Sequence, residues 1–255
     1  GAVAPRQWEP QRLAAFHAMA QGKIKLIAAT VEGLLQRTLP PDELAGHIVT
    51  LESNGSYDMD ELADRLAALG YTRCPQVEGV GQFALRGGIL DVFSPGQDNP
   101  VRVEFWDRAV DSMGLFDVSS QRRVGHLDRA VFLPVSELLP VKDENGNWER
   151  LTDRQLPARY SKLATAAHHL PPDAVVCLSE SSRVAERGKN WLWQLNEDVK
   201  TLLEAGKLDG KHAQFAATMD ELMAALSDHA LCFLDSFTTS AAPLPPKDIL
   251  TAQGR

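Results

Sequence analysis

The chain has 255 residues, 44% of them hydrophobic, which is enough for one large domain or two modest ones with proper cores. Its formal net charge of −8 disfavours autonomous binding to nucleic acid, whose affinity rests on neutralising phosphates, though it leaves room for a local basic patch. No apolar run approaches the roughly 20 residues a membrane span needs and no signal peptide opens the chain. Cys74, Cys177 and Cys232 are too few and too scattered for a disulfide framework, so a reducing, cytoplasmic setting is expected. The opening Gly1, in place of methionine, reads as the start of an excised fragment.

The first predicted element is a helix from about Glu9 to Gln21, with Leu13, Phe16 and His17 at helical spacing. Lys23 to Thr30 is expected as a short apolar strand through Ile24, Leu26 and Ile27, although no strand precedes it to pair with. Val31 to Arg37 reads as a helix stopped before Pro40 and Pro41. From about Ala45 the rhythm changes: His47 to Leu51 a strand, Asn54-Gly55 a turn, Met59 to Leu69 an amphipathic helix with Leu62, Leu66 and Leu69 inward. Several antiparallel strands follow, ending near Pro134, and the polar stretch from Pro140 to Trp148 reads as a boundary. The tail then predicts a helix over Asp153 to His168, a strand over Ala174 to Leu178 and a long helix over Ser181 to Ala205. A helix over Met219 to Leu226, a strand over Ala230 to Asp235 and a proline-rich stretch, SAAPLPPKD, complete it.

The most informative stretch is GQFALRGGILDVF, Gly81 to Phe93. If Gly87 and Gly88 form a two-residue turn, Arg86 faces Ile89, Ala84 faces Asp91 and Gln82 faces Phe93. Phe83, Leu85, Leu90 and Val92 then share the opposite face, which is wholly apolar and must be core. Arg86 and Phe93 are left where folding alone does not need them, and arginines and aromatics dominate binding hot spots. On the next strand Val101, Val103 and Phe105 alternate with Arg102, Glu104 and Trp106, giving a second polar row. A plainer reading of the same residues pairs Arg86 diagonally with Asp91, and Arg102 with a neighbouring acid.

Motifs for catalysis are weak. GKLDGKH from Gly206 has the wrong spacing for a phosphate loop and puts His212 where a hydroxyl belongs. GVGQFA, Gly79 to Ala84, leads into a strand where a dinucleotide fingerprint needs a helix. VVCLSE, Val175 to Glu180, places Ser179 where helicase-type ATPases carry a magnesium-holding Asp. His168-His169 has no partner at ligand spacing, the cysteines form no CxxC, and no GxSxG occurs. No cofactor and no metal are expected.

GYTRC from Gly70, then GQFALRGGILDVF, VRVEFWDRAVDS and FDVSSQRRV, closely resemble a segment of the bacterial transcription-repair coupling factors. A related segment occurs in the excinuclease component UvrB. KIKLIAATVEGLLQRTLPP and MDELADRLAALGY upstream, and LPPDAVVCLSESSRVAER downstream, fit the same family in order and spacing. The resemblance implies an α/β fold: a degenerate, incomplete helicase-like (RecA-like) α/β domain over residues 1–44 and 141–255. An α+β module with an antiparallel sheet, residues 45–140, interrupts it. It implies a non-enzymatic docking fragment that recruits the excinuclease component UvrA in transcription-coupled nucleotide excision repair. The motif residues carry over as partner-binding Arg73, Arg86, Phe93, Arg102 and Glu104, with Thr72 departing from the family pattern beside Arg73. In that family the docking surface is masked by a distant domain, so this chain is expected to bind UvrA constitutively. The longer proteins of the family also engage ATP, RNA polymerase and duplex DNA through other domains. The alternative is a residual nucleotide- or DNA-binding lobe of a helicase-like repair protein such as UvrB.

Overall fold

A computed structural model describes residues 8–151, 155, 159–160, 162–208, 214–235 and 250–253, the last four by their backbone alone. The fold is mixed α/β with several antiparallel sheets. Its contacts divide the chain into two units, one of Pro5–His17 and Asp42–Thr152, the other of Gly1–Ala4, Ala18–Pro41 and Asp153–Arg255. Along the chain the helices are α1 (Glu9–Ala20), α2 (Val31–Leu35), α3 (Pro41–Gly46), α4 (Met59–Ala68), α5 (Ser181–Glu204) and α6 (Met219–Ser227).

The unit that contains Asp42–Thr152 is built on a six-stranded sheet of order β3 (Thr72–Arg73), β4 (Gln82–Arg86), β5 (Ile89–Val92), β6 (Val101–Trp106), β7 (Ala109–Phe116) and β8 (Arg123–His126). All neighbours are antiparallel except β3 and β4. Alternation sends Phe83, Leu90, Val92, Val101, Val103 and Met113 to one face. There they share a core with Leu62, Leu66 and Leu69 of the α4 segment, and with β2 (Val49–Glu52) paired to β9 (Arg129–Phe132). Helix α4 starts where Asp58 accepts hydrogen bonds from the amides of Asp60 and Glu61, satisfying donors that a first turn leaves open. It stops at Gly70, whose φ of 91° suits a residue without a side chain. The polar stretch after Pro140 forms a hairpin of β10 (Val141–Lys142) and β11 (Trp148–Glu149). Lys142 Nζ and Trp148 Nε1 both donate to Asp64 of α4, at 3.1 and 2.7 Å, so the hairpin packs on this unit.

The other unit centres on a three-stranded parallel sheet, β13 (Val175–Ser179), β14 (Ala230–Asp235) and β15 (Leu250–Gln253). Leu178 and Phe233 on one face pack with Val31 and Leu35 of α2 and Leu222 and Leu226 of α6. Helix α6 carries a capping box, the Thr218 hydroxyl accepting from the Glu221 amide while the Glu221 carboxylate accepts from the Thr218 amide. Glu221 also receives Arg37 Nη2 at 2.9 Å, and the Thr218 amide, then Arg37, keep its carboxyl below the ordinary range.

Two expected elements differ. Lys23 to Thr30 forms no strand, and Leu26 stands 89% exposed; no described strand offers its backbone a ladder. Where the expected Asp153–His168 helix would end, the chain instead makes β12 (Ala164–Thr165), paired with β1 (Arg37–Thr38), and a short 3-10 turn over Ala166–His169. Pairing with β1 provides backbone partners that a local reading of periodicity does not foresee. The stretch SAAPLPPKD lies outside the described residues.

Candidate functional site

The register of the central ribbon is the expected one: Arg86 opposite Ile89, Leu85 opposite Leu90, Ala84 opposite Asp91 and Phe83 opposite Val92. Gly87 has φ 58° while Gly88 does not take a positive φ, the pattern of a turn that wants glycine first. Gly88 is needed for another reason. A Cβ there would meet the Phe105 carbonyl oxygen at 2.7 Å, because the Gly88 carbonyl accepts the Phe105 amide across the sheet. The Gly-Gly turn therefore lies against the end of β6, beside Trp106.

The second face of this sheet carries an ordered charge network. Asp91 projects from it with a side chain only 2% exposed. Arg102, its direct partner on β6, donates from Nε to Oδ1 at 2.7 Å and from Nη2 to Oδ2 at 2.8 Å. This two-pronged geometry suits a guanidinium and a carboxylate, and the bond to Asp91 raises the Arg102 pKa further. Arg102 also donates to Gln121 Oε1 at 3.0 Å and lies over the buried Phe116 ring at 4.2 Å. Its side chain is 20% exposed, so the guanidinium is held inside the face and is not a free fork for a partner. The plainer reading of Arg102 describes its geometry.

Arg86 is different. Its side chain is 51% exposed and reaches Asp91 only at 3.5 Å, on the diagonal. Since Arg102 already satisfies Asp91, releasing Arg86 leaves no carboxylate unpaired. Glu104 sits next to Ile89 in register and accepts from Ser112 Oγ at 3.0 Å, while Arg123 Nη2 donates to that hydroxyl at 2.7 Å. Phe93 is half-buried, its amide bound to the Gln82 carbonyl. Arg73 is exposed on β3 but pairs with Phe83, so alternation assigns it to the other side of the sheet from Arg86 and Arg102. The structure thus groups Arg86, Phe93, Arg102 and Glu104 on one face and sets Arg73 apart from them.

Trp106 extends that group. At 81% exposed it is a large aromatic with little of its surface covered, two residues beyond Glu104 on the same row. The turn that carries it is anchored, the Tyr57 amide donating to the Arg108 carbonyl and Arg108 pairing with Asp58 at 3.2 Å. Its alternation with Arg102 and Glu104 marks the face it occupies; only the position of the turn shows how open it is.

The motifs set aside for catalysis are occupied by structural bonds. Glu180 takes φ 53° ahead of α5, and the Asp235 carboxylate at the end of β14 accepts from the Ser181 amide at 2.7 Å and the Ser181 hydroxyl at 3.0 Å. The amide end of α5 thus holds the chain's own carboxylate. Gly206, φ 64°, ends α5; Asp209 to His212 lie outside the described residues. His168 Nδ1 is bound to the Thr165 amide, and His169 Nε2 lies 3.0 Å from the Leu39 carbonyl. No group of three metal-ligating side chains occurs among the described residues, and none of their helices is long and apolar enough to cross a membrane.

Residues 49–138, the segment that contains this face, match the family model of the UvrB interaction domain. The chain is also similar to transcription-repair-coupling factors. It is 25% identical to that of Bacillus subtilis over 295 residues, covering all of this chain and 25% of the relative. The protein of Myxococcus xanthus is 37% identical over 130 residues, half of this chain and 11% of the relative, and that of Staphylococcus epidermidis 25% over 270 residues, 90% of this chain and 23% of the relative. The chain spans about a quarter of the length of the Bacillus relative. These findings bear out the resemblance read from the sequence, to the transcription-repair-coupling factors and to the UvrB interaction domain.

Proposed function

We propose that this chain is a non-catalytic docking module that recruits the excinuclease component UvrA in transcription-coupled nucleotide excision repair, through the second face of the six-stranded sheet. The observation that carries this reading is the pairing of an open Arg86 with an open Trp106 on either side of the Gly87–Gly88 turn, within the matched interaction domain. Arg86 offers a charge-assisted donor to a partner carboxylate, Trp106 and Phe93 offer apolar area, and Glu104 lies between them. Arg102 and Asp91 act beneath this surface, fixing the strands that present it. Arg73, on the other side of the edge strand, would touch the partner only if the interface wraps that edge.

The parallel-sheet unit fits a degenerate helicase-like lobe. Asp235 at the amide end of α5 supports the absence of nucleotide binding there, because a bound phosphate would meet a carboxylate already hydrogen-bonded to that end. The test is isothermal titration of the chain with purified UvrA, with ATP-magnesium and with duplex DNA at stated salt. Binding to UvrA with no heat from the other two is expected. Binding to ATP or DNA without binding to UvrA would favour the residual-lobe alternative.

A further inference from the structure

Two cysteines far apart in sequence become direct neighbours in the parallel sheet. Cys177 is the third residue of β13 and Cys232 the third of β14, and the register pairs them Cα to Cα. Adjacent strands lie about 4.8 Å apart, within the Cα separation of roughly 4.4–6.8 Å that disulfides bridge. Direct partners project to the same face, so the two thiols stand side by side. That face is open: Val175, Cys177 and Ser179 are exposed on β13, Ala230 and Leu234 on β14, and Cys232 is partly so. The opposite face holds the buried Leu178 and Phe233. Desolvation and the adjacent Cys177 push the Cys232 thiol up. Cys74 belongs to the other unit, where it donates to the Phe83 carbonyl at 3.3 Å.

We propose that Cys177 and Cys232 form a dithiol modification site that reacts with small-molecule disulfides to close a reversible bond between β13 and β14. The more exposed Cys177 enters first. Its thiolate attacks one sulfur of a reagent such as glutathione disulfide; that S–S bond breaks, a mixed disulfide remains on Cys177 and one glutathione thiolate leaves to be protonated by water. The Cys232 thiol then gives its proton to solvent, and its thiolate attacks the Cys177 sulfur. The second glutathione thiolate leaves and is protonated in turn. Two protein thiols are oxidised to one disulfide, and one reagent disulfide is reduced to two thiols. In a reducing compartment the pair rests as free thiols and responds only when the thiol–disulfide balance shifts. The bond closes a long loop of the unfolded chain, so the oxidised form melts at a higher temperature. The site belongs to the parallel-sheet unit and is independent of the docking reading.

The test is to incubate the whole chain with glutathione disulfide, then map peptides by mass spectrometry and follow thermal melting. The wild type is expected to yield a linked Cys177–Cys232 peptide carrying no glutathione, and a raised melting temperature that dithiothreitol reverses. Cys232→Ser should keep one glutathione on Cys177, and Cys177→Ser should react more slowly at Cys232, which is less exposed. Glutathione retained on Cys177 of the wild type, a linkage through Cys74, or thiols that react only after denaturation would each overturn the proposal.

Discussion

The six-stranded antiparallel sheet and the three-stranded parallel sheet each bury one apolar face, and they finish the other face in opposite ways. The first covers its centre with its own chemistry. Asp91 is sealed by Arg102, Arg102 lies on Phe116, and Arg86 and Trp106 at the rim stay open. The second leaves Val175, Leu234 and a pair of thiols uncovered, with no polar network across them among the described residues. A buried carboxylate on an outward face is costly unless it is fully paired. Its presence in the first sheet marks a surface whose shape is fixed in advance, which lowers the ordering cost of docking. Among the described residues, the exposed face of the parallel sheet has no comparable device.

The sharpest way to break this contrast is Arg102→Ala. It strands Asp91 without its main counter-ion and should destabilise the chain by about 3–5 kcal/mol, read from urea unfolding. A loss below about 1 kcal/mol would mean the seal does not matter. Leu90→Ala, on the core face of the same sheet, should cost about 2–5 kcal/mol. Its counterpart on the open parallel face, Val175→Ser, should stay within about 0.5 kcal/mol in the same assay. Equal costs for these two would erase the difference between the faces.

The smallest effect concerns pH. Desolvation, and then the charges of Lys162 and Arg37, hold His168 below the ordinary imidazole range in the folded state. The unfolded chain titrates near 6.5, so this group's contribution is fully present above that pH. It is lost as pH falls through the lower folded value, because the unfolded state takes up the proton first. Melting temperatures measured from pH 7 down to pH 5 should therefore fall more steeply for the wild type than for His168→Gln. Parallel slopes would remove His168 from the acid response.

Much of the antiparallel sheet was legible because one face meets the core, so period-two alternation carries the information. Phe83, Leu90 and Val92 fell inward, and the Gly87–Gly88 turn fixed the register of Arg86 and Asp91. Which of the outward arginines is free was not legible. Arg86 and Arg102 look alike in sequence, and only the β5–β6 register, with Phe116 and Gln121 converging from beyond, commits one of them to Asp91. Arg73 shows the same limit, since its pairing with Phe83 depends on a parallel edge strand that no local pattern announces. The apolar run from Ile24 to Ile27 misled for the converse reason: a strand is made by its neighbour, and none is described beside it. The adjacency of Cys177 and Cys232 likewise exists only once β13 and β14 pair.

The most direct measurement is a titration of the wild-type chain and Arg86→Ala against UvrA, with urea unfolding of both. Arg86 is expected to be dispensable for folding, so the unfolding curves should coincide within about 1 kcal/mol. Affinity should drop by about 2–5 kcal/mol once the Arg86 guanidinium is removed from a desolvated contact. Matching affinities for the two proteins, with matching stability, would contradict docking through this face.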